Sequence, residues 1–387
     1  MDEKVAIIAV AQTRYGDMIK YNSEELAYMA IREVLQETGL SMGPAYEKGD
    51  YIDADIICHE HIYFEKPFSA SLILDVSGGN LRPEEKVDGD GAVGVSEAVW
   101  QILSGDYETV LVVAECHELL TWRSDIESQV FDPFYLRPMG LDDITSAALQ
   151  ARRYMDKYGL KREQFAGVVV KNRANAMCNP YASEPAELTL DEVMGSRMLA
   201  YPLTELDMRP ACDGACAMVL ASERRAKELC ENPVWITGIG GCYDGYYLGD
   251  RELADSKPLR EAAQRAYEMA GISHPREELD VVEVSDNFSY QELMWCEGLG
   301  LCGPGEGGGL IDSGKTGRDG DIPVNPSGGA ISGCPHTVVG MARIAEVALQ
   351  LRGEAGERQI DGAGRGLAHA AMGPCGQYHQ VMVLESG

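Results

Sequence analysis

The sequence predicts an α/β protein written as two similar halves, and three features carry that expectation. Apolar runs of strand length alternate with helix-periodic segments along the 387-residue chain. The order strand, helix, strand, glycine turn, helix, strand occurs twice. Between the two copies lies a stretch that fits neither.

The first copy opens with the apolar run Val5-Ala6-Ile7-Ile8-Ala9-Val10. A helix follows behind Ser23, with Ala27, Ala30, Ile31, Val34 and Leu35 at helical spacing. Residues 52–58 read as a short strand. The turn Val87-Asp88-Gly89-Asp90-Gly91 feeds a helix over about 92–103, which Gly105 stops, and residues 109–114 form a buried strand. The second copy repeats this order. Residues 234–239 are its opening strand, and Pro258 starts a helix through Ala262, Ala263, Ala266, Tyr267 and Ala270 that Gly271 ends. Residues 279–284 are the next strand. The turn Ser327-Gly328-Gly329-Ala330-Ile331-Ser332-Gly333 leads into a helix over 338–351, and a strand over 381–384 closes the chain.

Strands alternating with helices imply mainly parallel sheets with helices on both faces, the sheets of the two copies packed together. The N-terminal half then spans residues 1–230 and the C-terminal half 231–387. Residues 119–202, aromatic, proline-containing and charged with one clear helix over 147–158, read as an inserted loop domain of the kind that covers active sites.

Composition narrows the function classes. With 45% hydrophobic and 25% charged residues the chain reads as a soluble globular protein. No apolar run approaches the roughly 20 residues that span a bilayer. The apolar run at Val5 enters the fold at once, so no signal peptide is expected and the default location is cytoplasmic. A net charge of −29 argues against nucleic acid and anionic membrane as partners, although a local basic cluster or a helix N-terminus can still hold a phosphate. The 11 cysteines are scattered, with no Cys-x-x-Cys pair, and read as reduced thiols. Cys212 and Cys216 have no second pair to complete a zinc site, so no metal is expected.

Several words of sequence occur in a specific order. Lys171-Asn172-Arg173-Ala174-Asn175-Ala176 is followed by Asn179-Pro180-Tyr181-Ala182, by Pro202-Leu203, and by Asp213-Gly214-Ala215-Cys216-Ala217. Further on stand Val282-Glu283-Val284-Ser285-Asp286-Asn287-Phe288 and Ser327-Gly328-Gly329-Ala330 with Gly333-Cys334-Pro335. With these words in these places the chain resembles the thiolase superfamily over essentially its whole length, in particular the sterol-carrier-protein-thiolase-like branch. The resemblance implies a duplicated fold of five layers (α-β-α-β-α, each half of βαβαβαββ type) and a homodimer. It implies an active site where the glycine turns of both halves meet, acting on coenzyme A thioesters. Relatives in this branch often work with a small companion subunit combining a zinc ribbon and an OB-like fold, and several act on aromatic or steroid acyl-CoA compounds.

Thiolase chemistry needs a thiolate at a helix N-terminus, a base, two oxyanion holes and an acid/base group for the α-carbon proton. The resemblance places these functions on positions where the chain departs from the family. Asp88 falls nearest the nucleophilic cysteine of the first-half turn and reads either as a helix cap or as a base. Cys334 stands where the penultimate turn carries histidine, with His336 two residues on, and Ser285 where an Asn or His is expected. Residues 367–376 stand where the last catalytic Cys or His and an amide-donating glycine belong, which makes His369, Cys375 and Gly376 candidates. Gly329 and Gly376 are the turn glycines expected to approach the thioester. Arg123, Arg152, Arg153 and Arg173 are candidate phosphate contacts, and Trp122, Phe131, Phe134 and Tyr135 could line an acyl pocket or form the loop's own core. His59 and His61 follow a strand end and could face the pocket, and His274 and His379 read as structural.

Three readings follow. Cys334, at a helix N-terminus with a lowered pKa, could serve as a relocated nucleophile for acyl transfer between a β-ketoacyl-CoA and coenzyme A, with His336 or Asp88 as base and His369 or Cys375 at the α-carbon. A carboxylate or histidine could instead drive a retro-aldol cleavage without a covalent intermediate. Members of the branch with that chemistry carry tyrosines where this chain has Ser285 and Cys334. A non-catalytic scaffold is the third reading. The cysteine in the penultimate turn favours acyl transfer.

Overall fold

Every residue of the first strand, β1 (Val5–Gln12), is buried, because it runs through the middle of a sheet with a neighbour on each side. The computed structural model describes residues 4–41, 50–60, 73–79, 81–120, 126 and 128–387. Four further strands complete the N-terminal part of the sheet: β2 (Ala54–His59), β3 (Glu84–Asp88), β4 (Thr109–His117) and β5 (Asp213–Ser222). The C-terminal part holds β6 (Val234–Tyr243), β7 (Val281–Val284), β8 (Arg365–Met372) and β9 (Tyr378–Ser386).

The strand order is β3-β2-β4-β5-β1-β6-β9-β8-β7. β2 runs parallel to β3 and β4, and β7 parallel to β8, while β5 and β9 are antiparallel to both neighbours. The two parts join where β1 meets β6 through the antiparallel pairs Val5↔Ile236, Ala6↔Trp235 and Ile7↔Val234. Backbone pairing is therefore continuous across nine strands.

Helices cover both faces. α1 (Ser23–Thr38) begins with a reciprocal Asn22–Glu25 capping box and ends at Gly39 in the left-handed conformation. α2 (Gly91–Ser104), α3 (Asp143–Tyr158), α4 (Arg162–Asn175), α5 (Lys257–Ala270), α6 (Ser289–Gly298) and α7 (Val339–Arg352) follow along the chain. Alternation along the strands sorts the core into layers. Ile57, Leu111, Val113 and Val219 face outward onto Leu26, Ile31 and Val34 of α1. Ile56, Val110 and Val112 face inward onto Val95 and Val99 of α2 and Met341 and Ile344 of α7, which also carry Ala368, Met382 and Leu384 from the C-terminal strands. On the far side Val282, Val284, Leu367 and Val383 pack on Leu259 and Ala266 of α5 and Leu293 and Trp295 of α6, together with Tyr154 and Phe165 of α3 and α4. This is the expected five-layer duplicated α/β arrangement, with α2 and α7 as the central layer, but the sheet is mixed and not mainly parallel, because the central strands β5, β1, β6 and β9 all pair antiparallel. Every residue of α7 except Leu349 and Arg352 is buried.

The structure adds elements that periodicity did not reveal. β3, β5 and β8 are strands inside segments read as turns or motifs. The loop region holds a second long helix, α4, beside the expected α3. α4 buries the neighbouring residues Phe165, Ala166, Val168 and Val169, and all of α6 is buried, so neither carries the one-sided stripe that marks a surface helix. The second half lacks a full third strand. It keeps one parallel bridge, Val282↔Val324.

α5 lies directly on β6, where glycines replace side chains. A Cβ at Gly240 would overlap the Ala262 carbonyl, and one at Gly238 the Ala266 carbonyl, both backbone atoms that cannot step aside. Gly240→Ala is expected to lower unfolding stability by about 3 kcal/mol, the upper range for overpacking a core. A urea titration with an unchanged midpoint would contradict this close approach.

Candidate active site

In sheets of this kind the C-terminal ends of parallel strands and the N-termini of the helices beside them lie at one end, where backbone N–H groups and helix dipoles favour negative charge. The two central helices bring their N-termini together there around one carboxylate. Asp90 is the N-cap of α2. One oxygen accepts the Ala92 N–H at 2.8 Å, and the other accepts the Gly340 N–H of α7 at 2.7 Å. Burial raises its pKa to about 6, against the two amides and the His336 charge, which favour the ionised form. The Asp90 N–H in turn meets the Met372 sulfur at 3.1 Å, which brings the end of β8 to the same point.

Asp90, not Asp88, therefore occupies the position predicted for the carboxylate. Asp88 ends β3 as an exposed residue 3.5 Å from Lys86, because the chain needs two more residues to turn into the helix. The next residue, Gly91, has no room for a side chain. A Cβ there would come within 2.8 Å of both Met341 and Ala114.

The expectation of a reactive Cys334 is corrected. It precedes a 3-10 turn rather than opening a helix, and it is 1% exposed inside the central layer. Burial pushes its thiol up to about 12, only partly offset by Arg343 and Arg209. Cys58 and Cys216 share this layer, and burial raises both. The Cys334 carbonyl accepts a 2.9 Å bond from Arg209, whose guanidinium forks onto Glu118 at 2.6 and 2.7 Å in a fully buried pair.

His336 keeps access to solvent at this end, as does its partner Glu60. Its side chain is 30% exposed, and Nε2 lies 3.1 Å from Glu60 Oε1 at the end of β2. Burial alone would lower its pKa, but the Glu60 carboxylate outweighs that and holds it at about 9, so the imidazole carries its proton at neutral pH.

The glycine turn over 327–333 is mounted on a buried polar network. Arg343 donates to Glu283 and to the Ser327 hydroxyl, both at 2.6 Å, and Ser327 returns its N–H and O–H to Glu283. Asp286 accepts the Ala330 N–H at 2.5 Å and the Asn172 amide at 2.7 Å. Gly329 sits against this carboxylate with φ 67°, where a Cβ would strike its oxygens, so its role is the close approach to Asp286. Lys171 pairs with Glu292 at 2.9 Å, Asn175 donates to the Asn325 carbonyl, and Asn179 to the Ser327 carbonyl. The words that opened the resemblance thus tie the end of α4 to the turn. Burial, then the Glu292 charge, raises the pKa of Asp286.

Other expected residues lie elsewhere. The Ser285 hydroxyl donates to the His369 carbonyl at 3.1 Å. His369 points away from the central layer, because Ala368 and Ala370 take the inward positions of β8. Its Nε2 lies 2.9 Å from Nδ1 of His379, with Trp295 edge-on to both rings. Cys375 is buried with its sulfur on the Ser146 carbonyl at 3.3 Å, and burial raises its pKa to about 12. Gly376, at φ 63°, packs where a Cβ would meet Trp295 and His379. Arg173 is buried and bound to Glu184 at 2.7 Å, so it offers no surface charge to a phosphate. Arg152 pairs with Asp156 and Arg153 with Glu252, while Phe131 is buried and Phe134 and Tyr135 are exposed. His59 is buried 3.5 Å from Glu115. Arg123, Trp122 and His61 lie outside the described residues.

Two residues of the site escaped sequence reasoning. Asp90 stood in the same turn as Asp88, and its position just before Gly91-Ala92, as an Asp at a helix start, was the available signal. Glu60 gave none, since its partner lies 276 positions away. Among the described residues, clefts of about 440, 660 and 460 Å³ open at other parts of the surface. No described helix is long and apolar enough to cross a membrane, and no described cluster of His, Cys, Asp and Glu could hold a metal ion.

Comparison with known proteins agrees with this architecture. The family described as "Thiolase C-terminal domain-like" matches residues 242–386. An acetyl-CoA acetyltransferase of Methanothermobacter thermautotrophicus is 34% identical over 376 residues, covering 94% of this chain and 95% of that one. Sterol carrier protein 2 of Oryctolagus cuniculus is 39% identical over 228 residues, covering 56% of this chain and 41% of its own length. Among solved structures, the "Ltp2-ChsH2(DUF35) aldolase" superposes with a TM-score of 0.84 at 25% identity, covering 99% of this chain and 98% of the other.

The buried histidine pair makes a testable contribution to acid sensitivity. Burial and then the Arg251 charge lower the pKa of His379 to about 3, and burial lowers that of His369 well below its usual value. The folded protein therefore refuses protons that the unfolded chain binds below about pH 6.5. The stabilising effect of the neutral pair is present above that pH and is lost as pH falls toward 3. In urea titrations His379→Asn should flatten the acid limb between pH 6 and 4. An equally steep limb would remove His379 as its source.

Proposed function

This chain belongs to the thiolase superfamily, in its sterol-carrier-protein-thiolase-like branch, and we propose that it makes or breaks a carbon–carbon bond beside a coenzyme A thioester without forming an acyl-enzyme. Action on acyl-CoA thioesters follows from the family. The observation that carries the finer reading is the contrast at the helix N-termini. The Cys334 thiol beside them is buried and held protonated, whereas a carboxylate and a protonated imidazole stand at the helix starts.

In the cleavage direction the substrate is a β-hydroxyacyl-CoA. Asp90, with a pKa of about 6, is a stronger base than an ordinary carboxylate and still largely ionised at neutral pH. It takes the hydroxyl proton, the Cα–Cβ bond breaks as the carbonyl of an aldehyde or ketone forms, and the electron pair passes to the thioester as an enolate. The N-termini of α2 and α7 favour that negative charge. His336 delivers a proton to the enolate carbon, which leaves a shorter acyl-CoA, and Glu60 holds the imidazole in place. A bulky aromatic or steroid-like acyl group, a homodimer and a small companion subunit complete the proposal. The structural neighbour, a two-component Ltp2-ChsH2 aldolase by name, supports the reaction class and the companion.

Acyl transfer is the second reading, supported by the relative named acetyl-CoA acetyltransferase. It requires the Cys334 sulfur to leave the core. Intact-protein mass spectrometry after mixing with aliphatic and aromatic acyl-CoA thioesters separates the two. No adduct is expected on the wild type, and an acyl mass gain that disappears in Cys334→Ala would overturn the non-covalent mechanism. Asp90→Asn and His336→Gln should each slow turnover by about 10²–10⁴-fold, the usual range for a lost general base or acid.

A further inference from the structure

Arg251 commits its guanidinium to a single backbone turn. Nη1 donates to the Pro374 carbonyl at 2.8 Å, and Nη2 donates to the carbonyls of Cys375 and Gly376 at 2.9 and 3.2 Å. Nε rests on Asp244 at 3.2 Å, and the side chain is 5% exposed. The Asp244 N–H closes the arrangement on the Gln377 carbonyl at 2.7 Å, while Gln150 of α3 adds a second bond to the Cys375 carbonyl.

The turn needs this restraint. Gly373, Cys375 and Gly376 all have positive φ, at 71°, 56° and 63°. For Cys375, which carries a side chain, that conformation is strained and persists only where the surroundings enforce it. The turn also begins at Met372, the residue whose sulfur meets the Asp90 N–H. Its geometry is therefore joined directly to the point where the two central helices start.

Planar peptides turn this clamp into a statement about donors. Each N–H points opposite the carbonyl of its own peptide unit. Gathering the carbonyls of residues 374, 375 and 376 on Arg251 sends the N–H groups of Cys375, Gly376 and Gln377 to the other face. The Gly376 N–H is used within the turn, on the Gly373 carbonyl at 3.2 Å. A cation on the carbonyls also polarises these peptides and strengthens their N–H groups as donors.

We infer that Arg251 is a positioning residue for enolate formation. It fixes and polarises the Cys375 and Gln377 N–H groups of the 374–377 turn, which hold the thioester oxygen as negative charge develops. This inference rests on the enolate chemistry proposed above.

The probe is acetyl-CoA in D2O with the full-length protein. A base removes a C2 proton, the electron pair moves onto the thioester oxygen, and a solvent deuteron returns to the carbon, so exchange is read by NMR without knowing the natural substrate. Wild type is expected to catalyse exchange, and Arg251→Ala to slow it by about 100-fold at saturating acetyl-CoA, the scale of a lost oxyanion donor. The dissociation constant should stay within about twofold, and Arg251→Lys, keeping charge without the fork, should fall between. A general loss of structure would not produce that split. Asp244→Asn, which removes the charge that anchors Arg251 and keeps an oxygen for the Gly245 N–H, should slow exchange about tenfold by the same logic and decides the matter if Arg251→Ala does not fold. Exchange at the wild-type rate in a folded Arg251→Ala, or in Asp244→Asn, would overturn the inference. Absence of exchange in the wild type would instead overturn the enolate chemistry itself.

Discussion

One carboxylate holds the catalytic end of this molecule together. Asp90 caps α2 and α7 at once, so the N-termini of the two central helices cannot separate without breaking one of its two bonds. Both helices expose unsatisfied N–H groups and positive dipole ends at that point, and two such ends close together repel unless negative charge lies between them. A buried carboxylate supplies it. The same arrangement keeps its pKa near the working range of a base, since burial raises it while the amides restrain the rise. Structural cap and proposed base are one residue.

Behind that point the molecule spends buried charge on backbone geometry. Glu283, Arg343, Asp286, Asn172, Lys171 and Glu292 form a network inside the C-terminal part, and its products are the positions of Ser327, Gly329 and Ala330. Arg209 and Glu118 do the same for the Cys334 carbonyl. Such groups cost desolvation and are retained where they are fully hydrogen-bonded. Here they fix irregular backbone that no regular ladder would hold.

The sequence made the repeating architecture legible because strands and helices that bury one face advertise it by period. α2, α5 and α7 are legible to within a residue of their ends, α2 and α5 through Gly105 and Gly271 at their C-caps, and α1 through its start at Ser23 and its apolar stripe. α4 and α6 escaped because burial on several sides erases the stripe. The site was less legible. Spacing alone pointed to Asp88, whereas the capping carboxylate lies two residues on. Cys334 looked reactive from its neighbours Gly333 and Pro335, but reactivity depends on exposure, and exposure is decided by packing across the central layer. His369, expected at the site, is turned away from the central layer by alternation along β8.

The seam between the two parts of the sheet has a consequence for how the chain is made. β1 is made long before its partners, β5, pairing Val5 with Ser222, and β6, pairing Val5 with Ile236. During translation it has no native neighbour until those two strands have emerged. A fully apolar strand with both edges open is a template for wrong pairing, and contacts this distant in sequence form slowly. An unpaired β1 is therefore a liability of the nascent protein, and the long insertion between β4 and β5 lengthens the wait.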